Sequence, residues 1–69
     1  MTEIVFVIEA DPEGGYVAQA VGEPIVTQGD SLEQLRGMVR DAVRCHFPDE
    51  TTRPKLIRLP FVRDEVIAA

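Results

Sequence analysis

An α+β fold, with one helix packed on a mostly antiparallel sheet in the order β-β-β-α-β, is what three features of this 69-residue sequence predict. Short runs rich in β-branched residues, separated by Gly and Pro breaks, fill the chain up to Gly29. One stretch then carries apolar residues at three- and four-residue spacing, behind a strong cap. A last β-branched run follows a proline-containing loop.

"EIVFVIEA", Glu3 to Ala10, is the first strand. In "DPEGG", Pro12 suits the second position of a type I turn and Gly14 can take the left-handed position after it. "YVAQAV", Tyr16 to Val21, returns, "GEP" breaks the chain, and "IVTQ", Ile25 to Gln28, is a third short strand. The helix begins at Ser31, which forms a capping box with Gln34. Leu32, Leu35, Val39, Ala42, Val43 and His46 make its apolar stripe, and Arg36, Arg40 and Arg44 a solvated row on another face. Gly37 costs about 1 kcal/mol relative to Ala, which implies either a close backbone approach or simple tolerance. The helix ends before Pro48, because the residue ahead of a proline avoids helical angles. "KLIRLPFV", Lys55 to Val62, is the fourth strand, and Pro60 within it argues for a sheet edge or a bulge. "RDEVIAA" reads as a further short strand or a tail, with Arg63, Asp64 and Glu65 as surface charge.

Residues 1–69 form one domain, and a domain of this size buries only about 60% of the surface its unfolded chain exposes. Such a core calls for additional stabilisation. A single cysteine excludes an internal disulfide, and Cys45 with His46 alone excludes a one-chain zinc site, so self-association is the expected source. The N-terminus lacks the pattern of a signal peptide, and no apolar run approaches the roughly 20 residues that span a bilayer. A cytoplasmic protein without membrane contact is expected. The net charge of −5 disfavours direct nucleic-acid binding and favours a basic protein partner.

Strand alternation predicts two unlike sheet faces. With residue 10 opposite residue 16, Ile4, Phe6 and Ile8 share a face with Ala18 and Ala20, whose small side chains admit the helix. Val5, Val7, Val17 and Val21, with Glu9 and Gln19, lie on the other face, which one helix cannot also cover. These four valines are the expected interface.

The junction "TQGDSLEQL", Thr27 to Leu35, joins a strand to a helix N-terminus, where free N–H groups can bind phosphate. Asp30 and Glu33 would repel it, and the lysine of a P-loop pattern is missing. Gly29 instead permits a sharp turn, and Ser31 or Asp30 caps the helix. Around this corner, "GGYVAQA", beginning at Gly14 and Gly15, and "VTQGDSLEQLRGMVRDAV" resemble the HicB-like antitoxin family. Its pattern is a Gly-Tyr-x-Ala strand, a T-x-G-D-T/S box and a striped helix. The match runs from Ile4 to about Phe47, and "IRLPFVRDEVIAA" looks like the closing strand of short members without a DNA-binding domain. The family's proline-rich turn is replaced by "VGEPIV". The resemblance implies a fold similar to part of RNase H and a partner of the HicA type, a small basic mRNA-cleaving toxin.

RNase H likeness also raises carboxylates that could hold Mg²⁺. Glu9, Asp11 and Glu13 gather near one hairpin end and Asp41 lies on the helix, without the pattern of a metal cage. Cys45 and His46 are helix neighbours that point about 100° apart, unsuited to act as nucleophile and base. No catalytic residue, cofactor or metal is expected. A self-associating antitoxin-type binding module is the leading reading. An orphan oligomer and a weak metal-dependent hydrolase are the alternatives.

Overall fold

The computed structural model describes residues 2–62 and 67–69. Readings of Arg63, Asp64 and Glu65, and of a strand running through them, fall outside the described residues. The elements are β1 (Glu3–Ala10), β2 (Tyr16–Ala20), β3 (Val26–Gly29), α1 (Leu32–His46), β4 (Leu56–Arg58) and β5 (Phe61–Val62). They form one sheet in the order β3-β2-β1-β4, with β5 also on β1. The β1–β2 and β2–β3 pairs are antiparallel, and β4 and β5 run parallel to β1.

The β1–β2 hairpin follows from its turn. Pro12 pre-sets the turn angle, the Gly14 N–H donates to the Asp11 carbonyl at 2.9 Å, and the Asp11 side chain accepts from the Glu13 N–H. Gly14 and Gly15 both take positive φ, 109° and 80°. This closure sets Ala10 against Tyr16, Ile8 against Ala18 and Phe6 against Ala20, the expected register. β3 starts one residue later than the β-branched run suggests. Ile25 forms a tight turn with Glu23 around Pro24, gives its carbonyl to the Ala20 N–H, and packs into the core.

The expected fourth strand is two short ones, for a local reason. Both halves keep one register along β1, Ile4 against Ile57 and Ile8 against Phe61. Pro60 has no N–H, so one rung between them is missing. The strand is interrupted without a bulge, and it lies at the sheet's edge.

Helix α1 lies over β3 and β2. Its cap is a variant of the expected box. Ser31 Oγ accepts from the Gln34 N–H at 3.1 Å, while Gln34 Oε1 reaches past Ser31 to accept from the Asp30 N–H at 2.6 Å. Leu35, Val39 and Val43 join Ile4, Phe6, Ile8, Ala18, Ala20 and Ile25 in the core. Burial of each large side chain contributes about 1.5–3 kcal/mol. His46, expected at the end of this stripe, is instead exposed and faces Glu23 at 3.4 Å, and Phe47 packs on the core in its place. Gly37 has open space around it, so the structure there requires no glycine.

Candidate functional site

The sheet face turned away from α1 carries the residues that stand out. Val5, Val7 and Val17 are half-buried there, and Val21 is 62% exposed. Val21 lies one residue past β2, yet its N–H still donates to the Val5 carbonyl at 2.8 Å, which holds it beside β1. Val7 pairs with Gln19 and Val17 with Gln28, so amides interleave the apolar residues.

The face extends beyond those four valines. The β2–β3 register puts Val26 across from Gln19, and Val26 is 63% exposed. The β1–β4 register adds Leu56 beside Glu3 at 64% exposure, and the β1–β5 register adds Val62 beside Glu9. Alternation along β3 could have revealed Val26. Nothing local signals Leu56 or Val62, because they depend on β4 and β5 lying against β1. Arg58 Nε donates to Glu3 Oε1 at 2.6 Å on this face, a solvated pair worth about 0–1 kcal/mol. The whole is an apolar surface threaded with amides and a few charges, a composition suited to docking protein.

The helix corner has a different character. Asp11, Glu13, Gly14, Tyr16, Gly29, Asp30, Gln34 and Met38 line an open cleft of about 440 Å³. Its carboxylates oppose a phosphate, although the helix N-terminus points that way. Gly29 takes no left-handed φ at the corner between β3 and α1. A Cβ there would stand 2.9 Å from the Leu35 backbone nitrogen, so glycine lets β3 run against the helix backbone. At Gly15 a Cβ would stand 2.7 Å from the Gly29 carbonyl oxygen, in addition to the cost of positive φ. The two glycines pack the hairpin, β3 and α1 into one corner.

The carboxylates considered for a metal are not brought together. Asp11 and Glu13 line the cleft, whereas Glu9 and Asp41 do not. Among the described residues no group of three His, Cys, Asp or Glu side chains is placed to hold a metal ion. Cys45 and His46 border one shallow cleft with Pro24, Ile25, Val26 and Ala42, but no hydrogen bond joins them among the described residues. No helix of the described residues is long and apolar enough to cross a membrane.

The loop after α1 is held by Asp49, which accepts from the Thr51 N–H at 2.9 Å and from its hydroxyl at 2.8 Å. The backbone bond, then the side-chain bond, hold the Asp49 carboxyl below its ordinary pKa. The Arg53 guanidinium caps the helix end by donating to the carbonyls of Phe47 and Pro48. This arrangement aims the chain back along β1.

No family model matches the chain, and no solved structure does. Among curated proteins it is similar to a UPF0150 protein of Thermotoga maritima, with 42% identity over 66 residues, 96% of this chain and 91% of that protein. It is also similar to a UPF0150 protein of Archaeoglobus fulgidus, with 51% identity over 53 residues, 77% of each chain. At this identity and coverage, the chain belongs to the UPF0150 family.

Proposed function

We propose that this chain is a protein-binding module of the HicB-like antitoxin type. It associates with itself through the open sheet face and masks a small basic partner of the HicA kind in the cytoplasm. It acts by occupying its partner rather than by catalysis. The observation that carries this reading is the open face itself. Val21, Val26 and Leu56 are each more than 60% exposed and share a surface with Val5, Val7 and Val17 that no described element covers. The net charge of −5 supports a basic partner by favouring encounter with it. The "GGYVAQA" and "QGDSLEQL" motifs support the HicB-like assignment.

The test of self-association is light scattering coupled to size exclusion, at several concentrations, on wild type and Val7→Lys. Wild type is expected to run as a dimer or larger. The variant puts an unpaired charge into a water-excluded contact, at a cost of several kcal/mol, and is expected to be smaller or poorly folded. A wild type that stays monomeric at high concentration removes the homo-oligomer, and unchanged assembly of the variant removes this face. The toxin-masking part is tested by co-expression with the product of the adjacent reading frame. A small basic protein that co-purifies and whose RNA cleavage is suppressed is the expected result, and an adjacent product that neither binds nor cleaves RNA overturns it.

A further inference from the structure

The basic residues are not scattered over this acidic chain. Arg40, Arg44, Arg53 and Lys55 line one trough of about 360 Å³, floored by Val43, Pro54 and Ile57. Arg36 and Arg40 line its continuation with Val39, Ile57 and Leu59. Arg36, Arg40 and Arg44 stand at four-residue spacing, where like charges destabilise a helix, and none has a carboxylate within salt-bridge distance among the described residues. The helix lies over β2 and β3, so the helix-side surface of β4 is left to this trough.

The outer wall of the trough is an unpaired sheet edge. The Leu56 N–H donates to Thr2 at 3.1 Å and the Ile8 N–H to Pro60 at 2.9 Å. These bonds, with the register, turn the even-numbered residues 56 to 62 toward β1. Ile57, Leu59 and Phe61 therefore turn their N–H and C=O groups outward, where no described strand lies. Pro60 removes its rung on the inner side, against β1, and leaves the outer edge intact. Three outward donors and three acceptors thus run beside a row of arginines.

The geometry points to strand addition here: an extended acidic segment of a partner protein pairs its backbone with the edge at Ile57, Leu59 and Phe61, and its carboxylates meet Arg36, Arg40 and Arg44. Exposed backbone edges recruit strands, and the arginine row selects acidic ones. A second copy of this chain fits poorly, because two-fold edge pairing brings two arginine rows together. Single-stranded nucleic acid fits poorly too, because no aromatic side chain lines the trough beside the arginines, and Phe61, at the far end of the edge, is already engaged edge-on with Tyr16.

The test follows backbone amide signals of the full chain by NMR during titration with a peptide of roughly eight residues alternating Glu with Val. Two further peptides carry N-methyl groups on one or the other alternate set of residues, so that each blocks one edge of the added strand. Saturable shifts at Ile57, Leu59 and Phe61 are expected with the parent peptide and with one methylated form, and the other form is expected not to bind. Arg40→Glu with Arg44→Glu should weaken binding at least about tenfold, while Lys at both positions retains most of it. Equal binding of both methylated peptides would reduce the contact to charge alone and overturn strand addition. Absence of saturable shifts at millimolar peptide overturns the site. So does tighter binding at these residues by a uniform RNA oligonucleotide, or edge signals that broaden with protein concentration and exclude the peptide. The methylated pair probes unaltered protein, so the test survives a charge-reversal variant that fails to fold.

Discussion

The two faces of the sheet are made by the same strands, a residue apart, and differ in composition and in cover. The covered face alternates large and small: Phe6 opposes Ala20 and Ile8 opposes Ala18, leaving room for Leu35 and Val39 to descend. The open face uses residues of similar size, Val5, Val7, Val17, Val21 and Val26, interleaved with Gln19 and Gln28. Interdigitation suits a partner fixed on the same chain, where packing approaches crystal density. A flatter face with regular amides can remain solvated without a cover.

Truncation should expose that difference most strongly. Phe6 is fully buried, and Phe6→Ala should cost about 3–5 kcal/mol and leave much of the protein unfolded. Val7→Ala, one residue on and facing the other way, should cost about 1 kcal/mol in dilute protein. Urea midpoints at two protein concentrations separate the terms. The Val7→Ala deficit is expected to grow with concentration as wild type gains from assembly, while the Phe6→Ala deficit is large at both. Equal costs in dilute protein would mean that the open face belongs to the monomer's core.

The corner that carries the helix to the covered face gives a smaller effect. Gly29→Ala forces a Cβ to within 2.9 Å of the Leu35 backbone nitrogen, which cannot rotate away as a side-chain tip could. The overpacking should cost about 1–3 kcal/mol. Gly37→Ala, in open space on the helix, should stabilise by up to about 1 kcal/mol. Thermal melts that move the same way for both would dissolve the distinction between a packed corner and a tolerated glycine.

What the sequence makes legible divides along the same line. The β1–β2 register can be read from Pro12, Gly14 and the alternation beyond them, because a short turn sets which residues face each other. The helix start can be read from Ser31 and Gln34, although the carboxamide chooses the Asp30 N–H rather than that of Ser31. The place of β4 cannot be read. More than 50 residues separate Ile4 from Ile57, and no turn of the chain records that they are parallel neighbours. Pro60 signals an edge without saying which strand it borders. That missing step hides Leu56 and Val62 on the open face. It also hides that Arg36, Arg40 and Arg44, exposed as expected, border a trough beside β4.

The finest probe is the cap, which holds the cover of one face and touches nothing on the other. Ser31→Ala removes the oxygen that accepts from the Gln34 N–H, leaving a first-turn donor to water, and should cost about 1 kcal/mol. Gln34→Ala removes the acceptor of the Asp30 N–H and should cost less, because that group is exposed. The two bonds share Gln34 and brace one turn, so the double variant should lose less than the sum of the single losses. Such a loss loosens α1 at the end that packs against β3. The open face should not respond, so the oligomer measured by light scattering should be unchanged while the melt shifts down. Val7→Lys should give the opposite order, with assembly lost first and stability following. If the cap variants change the oligomer as readily as the melt, the faces are not independent, and the helix either contacts the second copy or shapes the sheet that does.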